Sequence, residues 1–125
     1  MDVISDILEN AGLDDIESKT YITLLNNGPL TVLELSKRSE LKRTNLYNIL
    51  LSLEKKNLVK KVENSNTIKY FPQSPKEIEN LLEVREDQIN VAKNTFELLI
   101  DGLQSKYNLV SHKPVIVYLE GLTGL

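Results

Sequence analysis

The sequence predicts a mainly α fold: four short helices, a two-stranded β-hairpin and one long helix of coiled-coil type. Three observations carry that prediction. Residues 31–59 read as a short helix, a tight turn and a longer helix with a polar, basic start. Two β-prone runs then flank the polar cluster Asn64-Ser65-Asn66, the pattern of a hairpin. From Ser74 to about Asn108 only Pro75 and Gly102 interrupt the helix formers, and apolar residues recur with alternating three- and four-residue spacing. A hairpin directly after a helix-turn-helix is a wing. The expected organisation is a winged helix-turn-helix domain over 1–73, a dimerisation helix over 74–110, and a further segment over 111–125.

The first helix spans 2–11, with Ile4, Ile7, Leu8 and Ala11 on one side and Gly12 as its stop. The second begins at Asp14, whose carboxylate caps it, with Glu17 three residues on as the other half of a capping box. It runs through Tyr21, Leu24 and Leu25 to Asn26-Asn27. Gly28 supplies the left-handed stop and Pro29 prevents continuation. Both helices read as scaffold.

The third helix opens on Thr31 and Glu34, a second capping box. Leu33 and Leu35, with Val32, are expected on its apolar side, and the turn falls at Ser39-Glu40-Leu41 with Leu41 as an apolar plug. In the fourth helix, about 43–56, Leu46, Ile49, Leu50 and Leu53 stand at i, i+3, i+4 and i+7, so one face is core. The opposite face carries Thr44, Asn48 and Lys55, with Arg43 and Asn45 near its start. A helix with that division is shaped to enter a DNA major groove by its front end.

Asn57 ends the fourth helix, and the wing follows, with Asn64, Ser65, Asn66 and Lys69 at or near its tip. Either the wing reaches phosphates or a minor groove, or it is an edge hairpin that closes the core. In the long helix Leu82, Ile89, Phe96 and Leu103 recur every seven residues, alternating with Ile78, Arg85, Ala92 and Leu99. That is a coiled-coil seam, roughly 50 Å long at about 1.5 Å per residue. Such a stripe needs a partner, and a symmetric homodimer is the commonest solution; folding back over its own domain is the alternative. Arg85 either pairs with an acid across the dimer or marks where the helix leaves the interface. Gly102 weakens the last turns. The stretch from His112 to Gly121 reads as a loop and one strand, with His112 a linker residue, and suggests the front part of a longer regulator.

Bulk properties narrow the function. The net charge of −3 over 125 residues is unevenly placed. Residues 1–35 carry one basic and seven acidic side chains, residues 62–125 six and nine. Residues 36–61 carry eight basic (Lys37, Arg38, Lys42, Arg43, Lys55, Lys56, Lys60 and Lys61) against two acidic. The positive surplus therefore coincides with the helix-turn-helix, as a phosphate-facing patch requires. With no Cys and one His, disulfide scaffolds and thiolate or His-rich metal sites are excluded. No paired carboxylates in a plausible pocket, Gly-rich phosphate loop or nucleophile–base set is present, so no enzyme and no cofactor are expected. No apolar run is long enough to span a membrane and the acidic N-terminus is unlike a signal peptide, so a cytoplasmic protein is expected.

The runs Gly28-Pro29-Leu30-Thr31, Glu34 to Ser39, Arg43 to Leu50 and Ser52 to Val59 resemble the winged-helix domain of the TrmB-type family, mostly archaeal transcription regulators with sugar-binding members. The likeness extends upstream to Ala11-Gly12-Leu13-Asp14 and downstream to Lys113-Pro114, Tyr118 and Glu120-Gly121, which is similar to the start of that family's effector domain. The resemblance puts Arg43, Thr44, Asn45, Tyr47 and Asn48 at recognition-helix positions. Lys42 departs from the Pro or Ser usual there, leaving the helix without a good side-chain cap. The ligand-binding body would follow Leu125, so a small-molecule effector is not expected for this chain.

The leading expectation is a dimeric, sequence-specific DNA-binding regulator. Arg43 suits a bidentate contact to guanine, and Asn45 or Asn48 suits adenine. Thr44, Lys37, Lys42 and Lys55 suit phosphates, which position without specifying. Tyr47 reaches a phosphate or packs; Leu51 meets a thymine methyl, the wing, or nothing. The alternative is a protein-interaction module that uses the long helix to recruit a partner.

Overall fold

The computed structural model describes residues 2–111. Its elements run α1 (Val3–Asn10), α2 (Asp15–Asn27), α3 (Val32–Ser39), α4 (Arg43–Lys55), β1 (Val59–Asn64), β2 (Thr67–Pro72) and α5 (Lys76–Ser111). Two compact units result, Met1–Glu86 and Asp87–Leu125, with the boundary inside α5. The strand expected after His112 lies outside the described residues.

Short helices are marginal alone, and in the first unit three of them start on a side-chain acceptor. Asp2 accepts from the Ser5 amide in α1. Asp14 and Glu17 close a complete capping box on α2, and Thr31 and Glu34 close another on α3. α2 stops at Gly28, whose φ of 83° suits a residue without Cβ. α3 stops at Glu40 in the left-handed region, φ 63°. The turn that follows is tied by serines: Ser39 Oγ donates to Leu35 O and accepts from the Leu41 amide, while Ser36 Oγ donates to Leu41 O.

The core is one cluster. Leu24 from α2, Leu35 from α3, and Leu46, Leu50 and Leu53 from α4 are buried together with Leu8, Leu13, Tyr21 and Leu58. Ile49 and Leu41 are partly buried against it, as are Ile78 and Leu81 from the first turns of α5. Among the described residues, Tyr21 is the one large polar-tipped side chain fully inside. Its hydroxyl donates to Gln73 O at 2.8 Å, which removes the cost of burying it unpaired, while burial raises its pKa.

Three expected core residues lie elsewhere. Ile4 and Ile7 of α1 are exposed, and only Leu8 and Ala11 reach the cluster, because α1 touches the core with its last turn. Leu33 is exposed as well. Val32 and Leu35 are three apart and share the inward side of α3, so Leu33, one residue round from Val32, is turned away.

The hairpin pairs β1 with β2 antiparallel, from Val59 opposite Pro72 to Asn64 opposite Thr67. Ser65 and Asn66 connect them, both with positive φ (51° and 68°), the sign pattern of a type I′ turn that matches strand twist. Leu30, just before α3, adds a bridge to Tyr70 through two backbone hydrogen bonds of 3.2 and 2.8 Å. That bridge seats the wing against the start of the helix-turn-helix. In the second unit α5 continues through Gly102, and no residue anywhere along α5 is buried. Among the described residues, no helix is long and apolar enough to cross a membrane.

Candidate nucleic-acid interface

With Leu46, Leu50 and Leu53 inward, the 100° step per residue aims Thr44, Asn48, Leu51 and Lys55 outward. All four are exposed, as are Lys42, Arg43, Asn45 and Tyr47. Lys37 is exposed in the last turn of α3. Asn66 lies in the hairpin turn and Lys69, opposite Val62, on β2; both are exposed. None of these ten polar side chains expected at a DNA surface forms an ion pair within the described residues. Their side chains are absent from the network that holds the fold together, which draws instead on Asp14, Glu17, Thr31, Ser39 and Lys56.

The start of α4 is open. Lys42 stands at its N-cap and makes no side-chain capping bond, and the first turn carries no acid. A helix start without a cap leaves amide donors facing outward at the positive end of the helix dipole. Lys42 and Arg43 add two formal charges at that point. Together these groups concentrate positive charge at the start of α4.

One of the eight basic residues of the 36–61 stretch does something else. Lys56 Nζ lies 2.9 and 2.8 Å from the two carboxylate oxygens of Glu17 and 3.1 Å from Gly12 O. Ser52 Oγ donates to the same carboxylate, and Asp14 N to its other oxygen. Glu17 is only 6% exposed. Its burial pushes the carboxyl pKa up, but Lys56, Ser52 and the Asp14 amide outweigh burial and hold it below the usual carboxylate range. Lys56 is thus a tie between α4 and the α1–α2 corner. Helical phase already sets Lys56 one step round from the outward Lys55; the α2–α4 packing supplies the carboxylate that holds it. Arg38 is also engaged, donating to Asn27 Oδ1 at 2.8 Å.

The wing borders α4. Burial raises the Tyr70 pKa, and the charges of Glu54 and then Tyr47 raise it further. The Glu34 carboxyl is held below its usual range chiefly by the Thr31 amide; burial opposes this, and the Thr31 hydroxyl, Lys69 and Arg38 add smaller lowering effects. On α5, Ile78 is packed on the core of its own unit, whereas Leu82, Ile89, Phe96, Leu99 and Leu103 are exposed large apolar residues. Arg85 and Ala92 are exposed too. The Arg85 side chain lies close to Gly12, so that a Cβ at Gly12 would sit 3.8 Å from Arg85 Cδ. No group of three or more His, Cys, Asp or Glu side chains suited to a metal occurs among the described residues.

The family model described as "Sugar-specific transcriptional regulator TrmB" matches residues 8–76. The uncharacterized protein YrhO of Bacillus subtilis is 37% identical over 105 residues, covering 83% of this chain and 38% of that protein. The HTH-type sugar sensing transcriptional regulator TrmBL1 of Pyrococcus furiosus is 35% identical over 83 residues, covering 66% of this chain and 24% of that protein. The chain thus spans well under half the length of these relatives. Among solved structures, the archaeal chromatin protein TrmBL2 superposes with a TM-score of 0.69 at 23% identity, over 96% of this chain and 47% of that one. A MarR family protein from Bacillus stearothermophilus gives 0.52 at 24% identity, over 82% and 81%. At those identities the two structures show the fold: a winged helix.

Proposed function

Because this chain belongs to the TrmB family of transcriptional regulators, we propose that it is a cytoplasmic regulator that binds duplex DNA sequence-specifically as a homodimer. α4 enters the major groove by its front end. Arg43 contacts a guanine, Asn45 or Asn48 an adenine, and Lys37, Lys42, Thr44 and Lys55 the phosphates. Tyr47 and the wing residues Asn66 and Lys69 contact the flanking backbone. The observation that supports this most is the uncapped start of α4, flanked by Lys42 and Arg43 and uncovered by other protein. The other three helices that precede the wing, α1, α2 and α3, each start on a side-chain cap.

Dimerisation is assigned to residues 74–110, where Leu82, Ile89, Phe96, Leu99 and Leu103 expose an apolar series, with the exposed Arg85 and Ala92 in the same register; Ile78, expected in that seam, is packed on the core of its own unit instead. No catalytic role is proposed. Binding to duplex DNA measured by fluorescence anisotropy, with a random duplex pool and a salt series, tests the reading. A steep loss of affinity with salt is expected, and no binding at low salt removes the proposal. The same exposed series on α5 supports the second reading, a protein-interaction module. Partner capture that survives neutralisation of Lys42, Arg43 and Lys55 would favour it.

A further inference from the structure

We infer that Leu51 is a specificity-determining residue that reads the C5 methyl group of a thymine, an inference that rests on the groove-facing orientation of α4 proposed above. Single exposed leucines are ordinary on protein surfaces; the position of this one is not. Leu51 is 50% exposed at the middle of the outward face of α4, with Thr44 at i−7, Tyr47 at i−4, Asn48 at i−3 and Lys55 at i+4. Tyr47, itself 51% exposed, is the one other exposed large apolar side chain on α4. The two stand one turn apart, so they form a small apolar step inside a polar and basic face.

A helical side chain leans toward the helix N-terminus, so Leu51 covers the turn holding Tyr47 and Asn48, toward the end that enters the groove. In the major groove every base edge offers donors and acceptors, and thymine alone adds an apolar group, its C5 methyl. Leucine makes no hydrogen bond. Set against a cytosine amino group or a guanine acceptor it would strip water from that group and return nothing. Set against the thymine methyl, both apolar surfaces leave water together. The wing is not the occupant, because Leu51 stays half exposed with the hairpin in place.

The test uses the full chain. Duplexes are selected from a random pool, and the selected duplex is remade with deoxyuridine replacing thymine at one position at a time. At one position per half-site, loss of the methyl is expected to weaken wild-type binding by about three- to tenfold, in line with the transfer of one methyl-sized group from water. Leu51→Ala should bind the thymine and deoxyuridine duplexes equally, with an unchanged salt slope, and Leu51→Met should keep the discrimination. Helical content by circular dichroism checks that both variants are folded. Wild-type binding indifferent to every deoxyuridine, or a Leu51→Ala protein that still discriminates, overturns the inference. Duplex binding with no sequence selected overturns it too while leaving DNA binding intact. No retention of any duplex at low salt would remove the DNA reading itself.

Discussion

The Lys56 ammonium and the Glu17 carboxylate meet at 2.8 Å, the one ion pair among the described residues. It joins the C-terminal end of α4 to the first turn of α2, and through Gly12 O to the α1–α2 corner. An exposed ion pair contributes little, but this carboxylate is buried and takes hydrogen bonds from Ser52 and Asp14 as well. The pair therefore ties the C-terminal end of α4 to the scaffold, beside the packing of Leu46, Leu50 and Leu53.

Glu17→Gln keeps the shape and removes the charge. The loss expected is about 1–3 kcal/mol, the range for hydrogen bonds to a charged group and for leaving a partner unsatisfied, reduced from the fully buried case because Lys56 keeps some contact with water. Urea unfolding of both proteins at neutral pH measures it.

The same carboxyl makes stability pH-dependent. Its folded pKa lies below the ordinary 4.5, so its contribution is complete above that value and is lost as pH falls through the lower folded value. Stability measured between neutral pH and about pH 3 should fall less steeply at the acid end in Glu17→Gln than in the wild type.

Caps offer a cleaner local test. Thr31→Ala removes the hydroxyl that accepts from the Glu34 amide at 3.1 Å and should cost about 0.5–2 kcal/mol. Lys42→Ser should do the opposite, adding a cap that α4 lacks. Thermal unfolding of the two variants should move in opposite directions, and DNA affinity should fall for Lys42→Ser through the lost charge.

Arg43→Ala should weaken binding to a selected duplex by about 1–3 kcal/mol and relax preference at one base pair. Lys55→Ala should weaken all duplexes alike and reduce the salt slope by about 0.9. Competition with single-base variants separates the two behaviours; identical behaviour would reject the division of roles.

Ile89→Asp with Phe96→Asp places two charges in the exposed apolar series of α5. Sedimentation should show a dimer for the wild type and a monomer for the double variant, with helical content over residues 1–73 retained. A wild-type monomer at tens of micromolar would refute the assignment of α5.

Most of the architecture was readable from local chemistry. The capping boxes at Asp14 and Thr31, the stop at Gly28, the turn at Ser65-Asn66 and the missing cap at Lys42 each depend on residues within four positions of one another. The heptad spacing after Ser74 is local in the same sense. Burial follows periodicity less closely. Ile4, Ile7 and Leu33 are apolar and on plausible faces, yet each stays about half exposed. The ten polar residues expected at a DNA surface are all exposed, but exposure alone does not tell a phosphate contact from a base contact.

What the amino-acid order determined by itself was the set of helices, the hairpin and the place where positive charge gathers, because propensity, capping and charge are written in near neighbours. The tertiary structure decided which of those features are free to act. Lys55 and Lys56 are adjacent and chemically identical, but one points outward while the other is held by a carboxylate 39 residues away. Leu30 became a sheet neighbour of Tyr70 for the same reason. Contacts between residues far apart in the chain follow from how the elements pack, and no window of sequence contains them.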